Sequence, residues 1–454
     1  MCGVAGGIGK AKPPVVAGLR HRGPDAEGIV EVDGFWIGHT RLAVRDLDPR
    51  SNQPFYYQGV VLSYNGELWN ADDLRRTLEA RGLVFTTTGD TEVIAAALSF
   101  WGEGALPRLR GMFAVVWYSG DGLLRAARDR MGEVPLHYTK TSVVSEMKAL
   151  PAGDRTACLW VEPGGVIRFN RDGFVSSARW YTLHGQRSAD GPVEGVRSGI
   201  SSGVEDRRFS DVPVCCLLSG GVDSSAIAGY LKTYFPGMVC YTARGESESR
   251  DLRCAREVAS FLEMPLVEVL VRTPTADQLS SVVYTIEQDN KAQVEIAWAC
   301  LALAAAMQSD GFKVTYSGEG SDELWGSYGL SYHGIKKLGF YEYRRRLVFD
   351  QHRKNFARAN KVFMSHGVEC RLPFLDTGLV EHALSLSEGE VRRGSNLKAV
   401  FCDAVEGVVP ESVRKRAKMT FQDGVGLQGM AESAVKNPRR FYESEYRQAY
   451  GRSA

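Results

Sequence analysis

Residues 216–225 read Cys-Leu-Leu-Ser-Gly-Gly-Val-Asp-Ser-Ser, between the apolar stretch Val212–Leu218 and the helical pattern Ser224–Tyr234. This order predicts a buried strand, a tight loop and a helix. Free backbone N–H groups at such a junction collect anions, and the two glycines let a ligand approach closely. The stretch lacks the lysine of the GxxxxGK[ST] motif, which excludes that type of phosphate loop. Asp223 supplies a carboxylate of the kind that magnesium prefers.

A second acidic loop, Ser317–Glu323, follows the strand-like stretch Lys313–Tyr316 later in the chain. Short apolar stretches of this type, separated by helical patterns, predict a parallel sheet with crossover helices. Ligands bind beyond the carboxyl ends of the strands in such sheets, so we expect the two loops to face one nucleotide. Asp223 and Asp322 would then share magnesium. Each loop alone is also compatible with an ordinary turn or helix start.

The composition is that of a globular protein with more than one domain. A chain of 454 residues is too long for a single ordinary core, and 44% hydrophobic with 24% charged residues excludes a disordered chain. A net charge of +1 gives no field that favours nucleic acid or an anionic membrane, and neither is an expected partner. Nine cysteines without a CxxC pair argue against a disulfide framework and favour a cytoplasmic location.

The pattern along the chain divides it into four parts. Residues 1–183 alternate strand-like stretches with two helical patterns, which predicts layered α and β structure. The polar, Gly-containing residues 184–192 are expected to be a linker. Residues 193–435 would form the second domain. Residues 436–454 are expected to form a C-terminal tail. Because its end is polar and rich in arginine, one expectation is that this tail is disordered.

Cys2 directly follows the initiator methionine. Removal of that methionine would leave a free N-terminal cysteine. Its α-amine, with an ordinary pKa of about 7.7–8.0, could take the proton from the thiol and make it a nucleophile. A buried, inert cysteine is the alternative.

Further strings near the N-terminus, in the same order, resemble class II glutamine amidotransferases. They are MCGVAGGIG at 1–9, HRGPD at 21–25, HTRLAV at 39–44, YNGE at 64–67 and TGD at 88–90. The resemblance implies that Cys2 attacks the amide of glutamine, with an oxyanion hole formed by the Asn65 side chain and the Gly66 N–H. The residues that it implies for binding glutamine are Arg41, Asn65, Glu67 and Asp90. The plain alternative for Asn65-Gly66 is a hairpin turn.

The loop at residues 219–225 resembles the PP-loop of ATP pyrophosphatases, which split ATP between its α- and β-phosphates. Both halves in this order are similar to the asparagine synthetase B family. The resemblance implies an N-terminal-nucleophile (Ntn) hydrolase αββα sandwich, then a doubly wound parallel-sheet PP-loop domain with added helices. The expected ATP-binding residues are Leu218, Ser219, Gly220, Gly221, Asp223, Ser224, Ser225, Ala243, Ser317 and Gly318.

By this resemblance the enzyme adenylates a carboxylic acid with ATP and Mg²⁺, and amidates it with ammonia that glutamine supplies through an internal channel. Glu319 would orient or deprotonate the attacking amine, and Lys418 would neutralise charge on the phosphates. The expected partners are glutamine and the carboxylic-acid acceptor, with a homodimer left open.

One segment departs from the family pattern. In asparagine synthetases a Thr-Thr-x-Arg pattern that follows an Ile-Glu pair recognises aspartate. In this sequence the segment after Ile286-Glu287 lacks the Thr-Thr-x-Arg pattern. Glu295 falls where the arginine would be, and its charge would repel a carboxylate. We therefore expect a non-aspartate acceptor, in specialised metabolism. Three alternatives remain: asparagine synthetase proper, an ATP-dependent cyclase of the β-lactam synthetase type, and a non-catalytic sensor. A cyclase would predict a degraded glutaminase half.

Overall fold

Three β-sheets organise the chain, and the computed structural model describes residues 1–329, 331–416 and 429–451. Two antiparallel sheets of six strands occupy the first half. With strands numbered along the chain, the first sheet has the spatial order β10 (Leu159–Trp160), β8 (His137–Tyr138), β9 (Ser142–Val144), β1 (Gly3–Ile8), β3 (Phe35–Arg41) and β2 (Ala26–Val32). The second has the order β12 (Gly173–Arg179), β11 (Gly165–Asn170), β7 (Leu124–Arg128), β6 (Gly111–Tyr118), β5 (Val60–Leu68) and β4 (Phe55–Tyr57).

Helices cover the outer faces of these two sheets. They are α1 (Pro13–Ala17), α2 (Ala71–Glu79), α3 (Asp90–Trp101) and the short α4 (Ala152–Arg155). Helix α1 packs on β1 and β3, α3 packs on β4 and β5, and the two sheets pack on each other through β1, β3, β5 and β6. A helix–sheet–sheet–helix sandwich results, which confirms the predicted αββα layers.

The second half contains a sheet of five parallel strands. Its spatial order is β15 (Leu266–Leu270), β14 (Cys240–Arg244), β13 (Val214–Leu217), β16 (Val314–Tyr316) and β17 (Glu369–Arg371). The chain passes from β13 to β14 on one side and returns to β16 on the other. The strand order therefore reverses beside β13, and open α/β sheets bind ligands at such a point.

Helices surround this sheet, as the predicted doubly wound fold requires. Up to the second acidic loop they are α5 (Pro192–Asp206), α6 (Val222–Leu231), α7 (Arg250–Leu262), α8 (Ala276–Ile286) and α9 (Lys291–Ser309). Beyond it the described helices are α10 (Ser321–Trp325), α11 (Ser331–Leu338), α12 (Phe340–Asp350), α13 (Asn355–Met364), α14 (Thr377–Ser385), α15 (Glu388–Val391), α16 (Ala399–Ala404), α17 (Glu411–Arg414), α18 (Met430–Ala434) and α19 (Pro438–Tyr450). No helix in the described ranges is long and apolar enough to span a bilayer.

The C-terminal residues differ from the disordered tail that the sequence suggested. Helix α19 packs against α8 and α9. Tyr442, Tyr446 and Tyr450 recur at a spacing of four residues and are all buried, so they form one apolar face. The hydroxyl of Tyr450 also donates a 2.7 Å hydrogen bond to the carbonyl of Tyr284. The polar composition of this segment suggested disorder because its arginines, which lie on the other side of the helix, outweigh the apolar tyrosine face in a simple count.

Candidate active sites

Cys2 lies just before the central strand β1, in the core of the first half. Its side chain is buried, and burial raises the pKa of the thiol, although the N-terminal amine lowers it. The Sγ atom lies 3.8 Å from the carbonyl oxygen of Leu42. The terminal amine of Met1 is ion-paired with the buried Glu369 on β17. The backbone nitrogen of Cys2 is thus an amide in this chain, and it becomes a basic amine only when Met1 is removed.

Asn65 and Gly66 lie in the middle of β5, paired with β6, so they are not the hairpin turn that the Asn-Gly pair also suggested. The Oδ1 atom of Asn65 accepts a 2.7 Å hydrogen bond from the Cys2 N–H. Its Nδ2 atom is buried and has no partner among the described residues. An unused amide donor beside a nucleophile is what an oxyanion hole requires.

The backbone conformation at position 66 requires glycine. Its φ is +150°, and a Cβ atom there would lie 2.0 Å from the carbonyl oxygen of Met112. A side chain would therefore force β5 away from β6. The position next to Asn65 must stay free of a side chain for the strand to hold its place beside Cys2.

Arg41 ends β3, and oxygen atoms of the following loop hold its guanidinium group. Nη1 donates to the carbonyl of Asp48 at 3.0 Å and to Oδ1 of Asn52 at 2.7 Å, and Nη2 donates to the carbonyl of Asp46. The carboxylate of Asp46 in turn accepts from the N–H groups of Thr88 and Gly89, at 2.9 and 3.1 Å. Asp46 thereby joins the Arg41 loop to the loop before Asp90. The sequence analysis assigned no role to Asp46.

Glu67 and Asp90 place two carboxylates in the same region. Oδ2 of Asp90 accepts hydrogen bonds from the Tyr64 hydroxyl at 3.0 Å and the Leu68 N–H at 2.9 Å. Burial, together with the carboxylates of Glu369 and Asp90, raises the pKa of Glu67 well above its usual range. Because a buried carboxylate costs free energy unless a cation neutralises it, this pair favours binding of an ammonium group.

The Gly-rich loop that contains Ser219 and Gly220 lies between β13 and α6, as predicted. The Oγ atom of Ser224 accepts from the Ser219 N–H at 3.1 Å and donates to the carbonyl of Gly221 at 3.2 Å. Gly220 has a φ of +78°, and a Cβ atom there would lie 2.4 Å from the carbonyl oxygen of Asp251. The loop is thus folded into a tight turn, which hydrogen bonds between its own residues hold in place.

The second loop contacts the first, as the sequence predicted. A Cβ atom at Gly318 would lie 2.8 Å from the backbone nitrogen of Ser224. The hydroxyl of Ser321 donates a 2.5 Å hydrogen bond to Oδ1 of Asp223. The two loops therefore meet at the point where the strand order reverses.

Lys398, which the sequence analysis missed, joins the two loops. Its Nζ atom lies 2.7 and 2.8 Å from the carboxylate oxygens of Asp223, and 2.7 Å from Oδ1 of Asp322. Burial lowers the pKa of Lys398, but the two carboxylates outweigh that effect and the pKa is raised. No motif marked this residue, because it comes from the start of α16, far along the chain. Lys418, the lysine that the sequence analysis named, lies outside the described residues.

Glu319 begins a buried polar network behind the second loop. It is ion-paired with Arg358, whose Nη1 donates to Oε1 of Gln293 at 2.7 Å. Gln293 donates to Asn355 at 2.7 Å, and Asn355 donates to Glu323 at 2.9 Å. Burial, reinforced by the nearby acids, raises the pKa of Glu323 to about 7.

Arg22 connects the two halves beside Cys2, although the sequence analysis gave it no role. This side chain is completely buried. It donates to the carbonyl of Cys2 at 2.9 Å, to Glu146 at 2.5 Å and to Asn360 of α13 at 2.9 Å. Next along α13, Lys361 donates to Glu287 at 2.5 Å. Buried polar side chains thus connect the core of the first half with the second half.

Two family models match this chain. The glutamine amidotransferase domain covers residues 1–176, and asparagine synthase covers residues 195–354 and 339–440. The chain belongs to the asparagine synthetase family. Membership in the family confirms the predicted enzyme class, an ATP-dependent ligase that uses glutamine.

Curated relatives support this membership over most of the chain. Glutamine-hydrolyzing asparagine synthetase B of Escherichia coli (strain K12) is 31% identical over 435 residues, covering 90% of this chain and 78% of that protein. The asparagine synthetase of Asparagus officinalis is 30% identical, covering 92% of this chain and 75% of its own. Asparagine synthetase 2 of Oryza sativa subsp. japonica is 31% identical, covering 90% and 73%.

The segment that departs from the asparagine synthetase pattern forms the start of α9. Gln293 is buried and belongs to the network behind Glu319, whereas Oε1 of Glu295 lies 3.4 Å from Nζ of Lys291. Position 293 therefore contributes a neutral amide to the network behind Glu319. The cation in this network is Arg358, and it comes from α13.

Proposed function

We propose that this enzyme converts a carboxylic acid into an amide, using ATP to form an acyl-adenylate and glutamine to supply ammonia. The observation that carries the proposal is the presence of both arrangements in one chain. Asn65 keeps a free amide donor beside Cys2, and two acidic loops meet at the switch point of the parallel sheet. A cyclase of the β-lactam synthetase type would need the two acidic loops but no intact glutaminase half. A non-catalytic sensor would not need both arrangements for catalysis.

In the glutaminase half, the Cys2 thiol would attack the side-chain amide carbon of glutamine. Once Met1 is removed, the α-amine of Cys2 would take the thiol proton and later give it to the leaving ammonia. Asn65 Nδ2 and the Gly66 N–H would stabilise the oxyanion. The α-carboxylate of glutamine would bind Arg41, and its ammonium would bind Glu67 and Asp90.

In the synthetase half, a carboxylate oxygen of the acceptor would attack the α-phosphorus of ATP and release pyrophosphate. Ammonia would then attack the acyl carbon, and AMP would leave. Asp223 and Asp322 would hold Mg²⁺ through carboxylate oxygens, the ligands that this ion prefers. Nζ of Lys398 lies 2.7 Å from an oxygen of each, so the two carboxylates face one point. Magnesium would neutralise charge on the phosphates. Glu319 would accept a proton from the attacking nitrogen.

We propose that the acceptor is an acid other than aspartate, from specialised metabolism. Gln293 and Glu295 are not cations, and Lys291, the first residue of α9, is ion-paired with Glu295 and Glu432. Arg358 is already paired with Glu319. Asparagine synthetase proper is the second candidate, and the identity of 31% to an asparagine synthetase B favours it.

The experiment that tests the acceptor is AMP formation with Mg-ATP, glutamine and a panel of carboxylic acids that includes aspartate. Turnover with a non-aspartate acid, at a kcat/KM well above that for aspartate, supports the proposal. Strong turnover with aspartate alone establishes asparagine synthetase instead. AMP formation without any nitrogen donor, with a cyclic product, would establish the cyclase alternative.

A further inference from the structure

Glu369 reaches from the second half of the chain to the terminus beside Cys2. It begins β17, and its side chain is completely buried. Its Oε2 atom accepts a hydrogen bond from the terminal amine of Met1, and its Oε1 atom accepts one from Nε of Arg371 at 2.7 Å. Asn360 on α13 donates to Sδ of Met1 at 3.1 Å. The second half therefore binds the terminal residue at both its amine and its sulfur.

Arg371 fixes the orientation of the Glu369 carboxylate. It is also completely buried, and its Nη1 atom donates to the carbonyl groups of Arg207 and Phe209. The carbonyl of Arg371 accepts a 3.0 Å hydrogen bond from the N–H of Ser317, the first residue of the second acidic loop. The strand that brings Glu369 to the chain terminus thus also contacts the loop of the proposed synthetase site.

Removal of Met1 takes away the cation that Oε2 of Glu369 binds. Burial raises the pKa of Glu369, but the terminal amine and Arg371 outweigh that effect and lower the pKa. A buried carboxylate costs free energy unless a cation faces it. Nitrogen atoms of consecutive residues lie at most about 3.6 Å apart, so the new α-amine of Cys2 would lie within about 6 Å of Oε2. It is then the cation available to this carboxylate.

We propose that Glu369 is a positioning residue of the glutaminase, which faces the α-amine of Cys2 in the processed chain and keeps that amine beside the thiol. Asn65 holds the same nitrogen from the first half, since its Oδ1 atom already accepts a 2.7 Å hydrogen bond from it. The inference rests on the proposed function. It goes beyond that function because it assigns to the glutaminase a residue that the second half supplies.

The charge of Glu369 sets the pH at which the amine of Cys2 becomes a base. A nearby negative charge favours the protonated amine, so the amine loses its proton at a higher pH than it would alone. The buried His39 is neutral near pH 7, because burial lowers its pKa to about 3. Further charged or titratable groups act on Cys2 or on Glu369, and they are Arg22, Arg41, Tyr64, Glu67, Tyr316 and Arg371.

Glu369→Gln tests this role through the pH dependence of glutamine hydrolysis. The variant keeps an acceptor oxygen for Arg371 and removes the negative charge. The amine then loses its proton at a lower pH, so the midpoint of the acidic limb of kcat/KM for glutamate release should fall by about one pH unit. Mass spectrometry of each protein verifies that Met1 has been removed. The matched control is Glu287→Gln, which removes another fully buried carboxylate, the partner of Lys361, and should leave the midpoint unchanged.

Amide formation from ammonium separates this role from a structural one. Glu369→Gln should retain that activity, because it does not use the amine of Cys2. A purely structural role would lower glutamate release by the same factor at every pH and leave the midpoint in place.

The outcomes distinguish the inference from the function beneath it. If the wild type releases no glutamate from glutamine, the proposed function fails and the inference falls with it. If the wild type hydrolyses glutamine and Glu369→Gln keeps the wild-type midpoint, the role of Glu369 is wrong and the proposed function stands. If Glu369→Gln does not fold, Glu369→Asp decides, because it keeps a charge for Arg371 but withdraws it from the amine by one methylene. A smaller downward shift of the midpoint then supports the inference, and no shift overturns it.

Discussion

The side-chain oxygen of Asn65 accepts a 2.7 Å hydrogen bond from the backbone N–H of Cys2, and the other end of the same amide remains unpaired within the described residues. One side chain thus positions the nucleophile and offers a donor to the oxyanion that its attack would create. Cys2 directly precedes β1 of the first sheet, and Asn65 lies in β5 of the second. The packing of the two sheets therefore sets this geometry.

Replacing Asn65 with alanine should remove that donor. Loss of one oxyanion-hole donor typically lowers kcat by about 10²–10³, so we expect glutamine-driven amide formation to fall by that factor. The measurement is glutamate release and amide yield with glutamine. Amide formation from ammonium is the internal control and should be preserved. A parallel loss with ammonium would show that Asn65 acts through folding instead.

Lys398→Met should impair the synthetase half selectively. Without the shared cation, the carboxylates of Asp223 and Asp322 repel each other across the contact between the two loops. We expect AMP formation to fall at least about 100-fold, with partial recovery in Lys398→Arg. The matched control is Lys232→Met, whose side chain is 38% exposed and paired with Glu263. Unchanged AMP formation in Lys398→Met would contradict this role.

Gly220→Ala and Gly221→Ala should differ in stability although the residues are adjacent. A Cβ atom at Gly220 meets the carbonyl oxygen of Asp251 at 2.4 Å with φ at +78°, whereas one at Gly221 meets only the Ser219 hydroxyl at 3.4 Å. Strain of this kind costs about 1–3 kcal/mol. Thermal unfolding should show a lower Tm for Gly220→Ala than for Gly221→Ala, and equal values would disprove the strained loop.

Glu323 should make the stability depend on pH. Its pKa rises from the usual 4.5 to about 7 in the folded chain, mainly because it is buried. The folded state thus favours the protonated acid. The contribution of Glu323 to the free energy of unfolding is therefore complete below pH 4.5 and is lost as pH rises through 7. The loss amounts to about 3 kcal/mol. Urea unfolding of wild type and Glu323→Gln at pH 5 and pH 8.5 measures it.

In this comparison Glu323→Gln should retain the hydrogen bonds from Tyr328 and Asn355 through the amide oxygen. Its stability should therefore change less than that of wild type between the two pH values. Glu388→Gln, with a side chain that is 50% exposed, should behave like wild type. An equal pH dependence in Glu323→Gln would contradict the assigned pKa.

Local patterns in the sequence predicted the elements that carry the sites, but not the residues that join them. The apolar stretch before Ser219 and the glycines after it identify a strand–loop–helix unit, because those preferences are local. Asp46, Arg22 and Lys398 were missed because their partners lie far away in the chain, and no spacing rule connects them. The helix over Pro438–Tyr450 was missed for a different reason: its buried face consists of tyrosines, which a polarity count overlooks.

We propose that one chain contains two separate sites, a glutaminase at Cys2 and a synthetase at the PP-loop. The most direct test compares wild type and Cys2→Ala with Mg-ATP and the active acid, measuring amide and AMP with glutamine and then with ammonium. The account predicts that Cys2→Ala loses amide formation from glutamine and keeps it from ammonium. Retention of glutamine-driven amide formation by Cys2→Ala would contradict it.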